Sequence, residues 1–340
     1  MSQLTPLPEI AAQEGPFDNE TLDTIRARGR PVVMRGLVDD WPLVAEARRG
    51  DGAVVAYLSR EPSAHAVRAI MAPPSAGGRF FYNADISGFN FQSGQGRLET
   101  LLQDLLTAAG VADPPAMAVQ SEDLKSLLPH VARENRLALL PAVDARIWLG
   151  NRVRVAPHYD VKENIACCVA GRRRFTLFPP GQIANLYPGP LELTPAGTPV
   201  SMVDPLNPDL GAYPRFAEAW AEASQATLEP GDAIYIPYLW WHGVESLGPL
   251  NVLINYWWTE GEPDEIGGAY DALLHAILSF RHLPPEQREA WRTMLDYYVF
   301  ERSGDPAAHL PPTARGVLGP PHPALFARMR EIIRGALGRS

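Results

Sequence analysis

From Arg30 to about Trp258, apolar residues come in short runs rich in β-branched and aromatic side chains, punctuated by glycine and proline. PVVMRG, ARIWLG, NIACCVAG, RFTLFPP, DAIYIP, GVESL and NVLINYWW are the clearest. Runs of this kind predict strands, and many short strands with turn signals predict a sandwich, barrel or jelly roll. Helical spacing interrupts the pattern at 98–109, LETLLQDLLTAA, and at 121–134, SEDLKSLLPHVARE, so the first half mixes α and β. Past Gly261 the periodicity becomes helical. GAYDALLHAILSF is apolar around much of its circumference, and beyond Pro284 and Pro285 the residues Trp291, Met294, Leu295 and Tyr298 recur at i, i+3, i+4 and i+7. Near the C-terminus Leu325, Met329, Ile332 and Ile333 share a third apolar face.

Composition narrows the class. The chain has 340 residues, 46% of them hydrophobic, which is enough for one large domain or two ordinary ones with a full core. A net charge of -9 gives no electrostatic footprint for duplex DNA. The N-terminal stretch MSQLTPLPEIAAQEGPF has no basic n-region and no apolar h-region, and no run reaches the ~18 apolar residues that cross a bilayer. The expectation is no membrane partner and a cytoplasmic location. Cys167 and Cys168 are the two cysteines. As strand neighbours they point to opposite faces, which predicts packing on both sides of a strand and no disulfide between them.

The stretch APHYDVKENIACCVAGRRRFTLFPP, residues 156–180, sets His158 and Asp160 one residue apart before a β-rich run. Residues i and i+2 of a strand share a face, so the two side chains project together. An imidazole and a carboxylate are two members of the facial triad of a mononuclear non-haem Fe(II) site, which needs a second histidine. His65, His130, His275, His282, His309 and His322 fall in loops or predicted helices. His242 follows the strand DAIYIP in GDAIYIPYLWWHGVESL, and a strand returning after a short loop would lay it beside the first pair. The candidate metal set is His158, Asp160 and His242.

Across WLGNRVRVAPHYDVKENIACCVAGRRRFTLFPP, LYPGP, VDPLNPD, EPGDAIYIPYLWWHGVESL and LINYWW, and in the early RPVVMRGLVDDWPL, the chain resembles the cupin-like branch of the JmjC dioxygenases. In pattern it is closest to an asparaginyl hydroxylase of that family. The likeness runs collinearly over about residues 30–260. It implies a mainly β fold with helices, a double-stranded β-helix or jelly roll over 1–261 with N-terminal α/β elements, followed by a helical region over 262–340. It further implies Fe(II) held by His158, Asp160 and His242, with 2-oxoglutarate as cosubstrate. The chemistry would be hydroxylation of an unactivated C–H bond, on a protein side chain or, alternatively, on a small molecule or tRNA base. A non-catalytic jelly-roll binding protein is the remaining alternative. The family's pairing through C-terminal helices, together with three apolar stripes in the tail, implies a homodimer; a lid folded back on its own barrel is the other use of that surface.

The chain departs from the hydroxylase pattern in its cosubstrate pocket. Arg173, between Arg172 and Arg174, stands where a family lysine pairs with the distal carboxylate of 2-oxoglutarate. An arginine can hold a carboxylate in a bidentate fork, so Arg173 is the expected anchor, with Arg172 and Arg174 exposed. A family threonine is replaced by Val155, and a family tyrosine aligns near Met117. Asn164 and Asn255 match polar positions that approach the cosubstrate or ligands on the metal. Trp240, Trp241, Trp257 and Trp258 either wall a substrate groove or, as aromatic residues in a barrel mouth more often do, serve as packing. The segment 181–227, rich in proline, asparagine and aspartate, is too long for a hairpin and is expected to lie near the substrate.

Overall fold

The computed structural model describes residues 4–259 and 268–338. The chain divides into two compact units, Met1–Trp258 and Thr259–Ser340; the domain boundary expected at 261 lies outside the described residues. Among the described residues the first unit holds fourteen strands. They are β1 Ala12–Glu14, β2 Val32–Arg35, β3 Val67–Ala72, β4 Arg79–Phe80, β5 Gln92–Gly96, β6 Ala116–Asp123 and β7 Ala145–Gly150, then β8 Arg154–Tyr159, β9 Glu163–Ala170, β10 Arg173–Phe178, β11 Ser224–Leu228, β12 Ala233–Ile236, β13 Trp241–Ser246 and β14 Asn251–Trp258. Its helices are α1 Asn19–Ala27, α2 Pro42–Arg49, α3 Asp51–Leu58, α4 Leu98–Ala108, α5 Leu124–Leu127, α6 Pro129–Glu134 and α7 Phe216–Ala221.

The last eight of these strands build the jelly roll. β12-β9-β14-β7 lie in one sheet and β11-β10-β13-β8 in the other, so the chain changes sheet at each step except from β10 to β11. The first sheet is extended to nine strands by β1 and β2 at one edge and by β6, β3 and β5 at the other. This is the double-stranded β-helix expected from the sequence.

Strand alternation divides the core. In β9, Ile165, Cys167 and Val169 pack outward against the helices with Leu22, Trp41 and Leu102, while Ala166 and Cys168 face the barrel interior with Phe175, Leu177 and Ile234. The two cysteines are free and buried on opposite faces, as the sequence required. The helix expected across 121–134 is corrected. β6 runs on through Asp123, which caps α5 by accepting from the Ser126 N–H at 2.7 Å, and Pro129 then starts a separate helix, α6, because its ring cannot continue the preceding one.

The second unit contains α8 Ala269–Phe280, α9 Pro285–Tyr298 and α10 Pro323–Leu337. Phe280 of one helix stacks on Trp291 of the next at 5.0 Å. Trp291, Met294, Tyr298, Ile332 and Ile333 nevertheless remain exposed.

Candidate active site

β13 runs antiparallel to β8 with His242 directly opposite His158, and the imidazole centroids lie 4.3 Å apart. The turn from β11 into β12, the strand that leads on to β13, is fixed by Asp232, whose carboxylate accepts from Arg35 Nη1 at 2.6 Å and from the Gly36 N–H at 3.1 Å. Asp160 follows the end of β8 and returns to the side of His158, with Oδ2 3.6 Å from His242 Nε2. One ligand atom from each of the three residues lies within 4.8 Å of the other two. None of the other six histidines joins this cluster among the described residues.

Both imidazoles are fixed through Nδ1. Nδ1 of His158 lies 3.0 Å from the Ala156 carbonyl, and Nδ1 of His242 lies 3.1 Å from the Trp240 carbonyl. A carbonyl only accepts, so Nδ1 carries the proton and Nε2 keeps its lone pair. Burial, and then the neighbouring His242, push the His158 pKa down to about 4, against an opposing pull from Asp160. The imidazole is therefore neutral at pH 7, as metal binding requires. Trp257 donates its indole N–H to Asp160 Oδ2 at 3.1 Å and so orients the carboxylate. Trp257 lines the cavity, one of its two expected roles, and its bond to Asp160 is a further one. The signal was present in β14, where Leu253, Asn255 and Trp257 share the inward face by alternation.

Arg173 is placed by the turn between β9 and β10. Gly171 there has φ +71°, and a Cβ would collide with the Leu250 carbonyl and the Asn251 side chain, so only glycine makes this turn without strain. From that turn, Arg173, Phe175 and Leu177 of β10 point inward. Arg172 pairs with Glu229 at 2.8 Å and Arg174 with Glu245 at 3.6 Å. Arg173 is 6% exposed, and its Nε has no hydrogen-bond partner. Burial lowers its pKa to about 10, opposed by Cys168, so it stays a cation at neutral pH.

The triad and Arg173 open into one cavity of about 460 Å³. Asn164 and Asn255 line it and are joined to each other, with Asn255 Nδ2 donating to Asn164 Oδ1 at 3.1 Å. Trp148 Nε1 donates to Asn255 Oδ1 at 2.7 Å. Val155 lines the cavity, as does the segment from Thr194 to Gly197 within the long 181–227 connection. Met117 does not; it is buried in the core on the helix side of the sheet, because it lies out of phase with the inward row of β6. Trp241 is 1% exposed and packs edge-on against Tyr159 at 4.8 Å, which is a packing role.

A double-stranded β-helix with two histidines and a carboxylate converging at one end of the barrel defines the metal-binding cupin class. A model of the cupin-like domain matches residues 18–263, and the chain belongs to that family, in its JmjC-type branch. It is 37% identical over 112 residues to lysine-specific demethylase JMJ31 of Arabidopsis thaliana, a match covering 33% of this chain and 20% of the relative. HSPB1-associated protein 1 of Homo sapiens is 32% identical over 152 residues, covering 44% and 30% of the two chains. tRNA wybutosine-synthesizing protein 5 of Gallus gallus is 31% identical over 160 residues, covering 43% and 47%. The matches span less than half the length of each relative. A particular kinship with the asparaginyl hydroxylase is a finer reading that these matches do not carry.

Proposed function

We propose that the protein is an Fe(II)- and 2-oxoglutarate-dependent dioxygenase that hydroxylates an unactivated C–H bond, on a protein side chain. The observation that carries this reading is Arg173, a buried cation with an unpartnered Nε and no carboxylate beside it among the described residues. An unpaired buried charge costs several kcal/mol, and it is retained here in the same cavity as the metal triad. A ligand with one anionic end for Arg173 and another end for the metal removes that cost. The β10–β13 register pairs Leu177 with His242 and Arg173 with Ser246. The guanidinium therefore starts four residues, about 13 Å of strand, from the metal-ligand row. With the reach of the two side chains subtracted, that interval suits a short dicarboxylate.

The donor set fits the metal: two neutral imidazoles and one carboxylate leave open positions on the ion. His158, Asp160 and His242 would hold Fe(II), and Arg173 would take the distal carboxylate of 2-oxoglutarate, with Asn164 and Asn255 beside it. Bound iron and cosubstrate would supply the oxidising power, with dioxygen as the oxidant: one of its oxygen atoms would enter the substrate C–H bond and the other the succinate formed as 2-oxoglutarate loses carbon dioxide. The chain's own contribution is to orient Asp160 through Trp257, to fix the imidazole tautomers, and to keep the inner cavity dry with Phe175 and Leu253. Incubation with Fe(II), 2-oxoglutarate and ascorbate should release succinate, and Arg173→Met should abolish the release. Absence of succinate from the wild-type protein supports the non-catalytic alternative instead.

A homodimer through the second unit belongs to the same reading, supported by the exposed Trp291, Met294 and Tyr298. Equilibrium sedimentation at micromolar concentration tests it, with Trp291→Glu expected to yield monomers. No helix is long and apolar enough to cross a membrane among the described residues, and two buried free thiols suit a reducing, cytoplasmic setting.

A further inference from the structure

The proposed function uses the inner end of the cavity. Its outer wall is built by β3, β6 and the segment leading into β5. Alternation along β3 turns Arg68 and Ile70 to the cavity, where Gln120 and Ser121 of β6 join them. Phe89 and Phe91 complete this wall, stacked 4.9 Å apart and only 5° from parallel. Together they present a flat apolar surface beside a guanidinium.

Arg68 is held but not neutralised. Its Nη2 donates to Ser93 Oγ at 3.0 Å, while the rest of the guanidinium meets no acceptor among the described residues. Glu122 is the nearby acid. One of its oxygens accepts from the backbone N–H of Arg68 at 3.4 Å, and the other stands 3.7 Å from His65 Nε2. Among the residues lining the cavity, Asp160 is the one acid and belongs to the metal set, whereas Arg68 and Arg173 are both cations. A lysine or arginine side chain entering this cavity would meet two like charges and no free counter-charge, which raises its energy in a partly desolvated site. A carboxylate entering the same way meets an oriented fork of donors.

We propose that Arg68 is a specificity-determining residue that pairs with a carboxylate of the substrate, while the Phe89–Phe91 wall takes an adjoining flat or apolar group. This rests on the inner end of the cavity being taken by the cosubstrate. One exposed guanidinium is too little for a polyanion, whose affinity comes from many phosphate contacts; the acid is therefore a small carboxylic acid or an acidic side chain of a peptide.

The test is titration calorimetry on the full chain loaded with Mn(II) and saturating 2-oxoglutarate. Three probes share a ring and differ in charge: phenylacetate, phenylacetamide and phenethylamine. The blocked dipeptides of Phe-Asp and Phe-Lys form a second arm that separates a peptide from a free acid. The expected result is that phenylacetate or the Phe-Asp dipeptide binds about tenfold more tightly than its cationic counterpart, and that Arg68→Gln removes that preference. Equal affinities, a preference for the cations, no measurable binding by either carboxylate, or a preference that survives Arg68→Gln overturns the proposal. Loss of carboxylate binding in Arg173→Gln but not in Arg68→Gln also overturns it, because the probe would then occupy the cosubstrate position. Failure of the dioxygenase reading is seen separately, as absent 2-oxoglutarate binding in the same protein before any probe is added.

Discussion

Trp257→Phe isolates the bond that orients Asp160, the carboxylate of the proposed metal site. The ring and its edge-on contact with Trp148, 5.7 Å between centroids, can be kept by phenylalanine, while the N–H that reaches Asp160 Oδ2 at 3.1 Å is lost. A hydrogen bond to an ionised group contributes about 1.5–3 kcal/mol. The Asp160 side chain is 16% exposed, so water recovers part of that, and about 1.5–2 kcal/mol is the appropriate figure. Metal affinity should therefore fall roughly ten- to thirtyfold, within the range seen when groups orienting metal ligands are removed. Co(II) titration, followed by calorimetry and by the visible spectrum of the bound ion, measures it. Trp148→Phe is the control, since its N–H serves Asn255 and not a ligand, and it should leave Co(II) affinity unchanged. A loss smaller than about threefold in Trp257→Phe, or an equal loss in the control, would refute the assigned role.

His158→Ala and His242→Ala should each abolish stoichiometric metal binding, and Asp160→Ala should weaken it, because Asp160 is the one anionic member of the set; retained one-to-one binding in both histidine variants would sink the triad. Gly171→Ala should destabilise the first unit by more than about 1 kcal/mol, from its φ of +71° and the collision with Asn251 and Leu250. Urea denaturation measures the loss, and an unchanged midpoint would show that the turn relaxes freely.

The sequence made the inner barrel strands legible because a strand buried on both faces is a nearly continuous apolar run. NIACCVAG and NVLINYWW became β9 and β14, and the His-x-Asp spacing survived folding because it depends only on alternation. β5 was invisible. Its residues Gln92–Gly96 are all exposed and carry no apolar signal, so the strand exists only through its pairing with β3. β6 was obscured by the bulge at Ser121, which has φ +56° and shifts the register against β7 between Val119 and Glu122. Met117 entered only through its alignment near a family tyrosine; its side chain falls on the helix side of β6, whereas Gln120 lines the cavity. For Trp257, alternation along β14 marks the inward face, but a tryptophan at the end of an apolar strand has the same sequence signature whether its N–H is idle or bonded to a carboxylate.

Arg173 invites a test in which function and stability move in opposite directions. Its guanidinium is buried with Nε unpartnered by the described residues, and burial is the leading cause of its lowered pKa. Methionine has a similar reach and no charge. Replacing a buried, poorly compensated ion by an apolar side chain of comparable volume stabilises proteins by about 1–4 kcal/mol. Arg173→Met should thus raise the melting temperature of the metal-free, 2-oxoglutarate-free protein by several degrees, at roughly 2–4 °C per kcal/mol for a unit of this size. The same substitution should remove the stabilisation that 2-oxoglutarate gives the wild type, since binding to the native state alone raises apparent stability. Differential scanning calorimetry with and without the diacid reads both effects in one series. A variant that melts below the wild type without ligand would mean that Arg173 is a structural residue satisfied by the fold. A variant that still gains stability from 2-oxoglutarate would move the anchoring role to another residue.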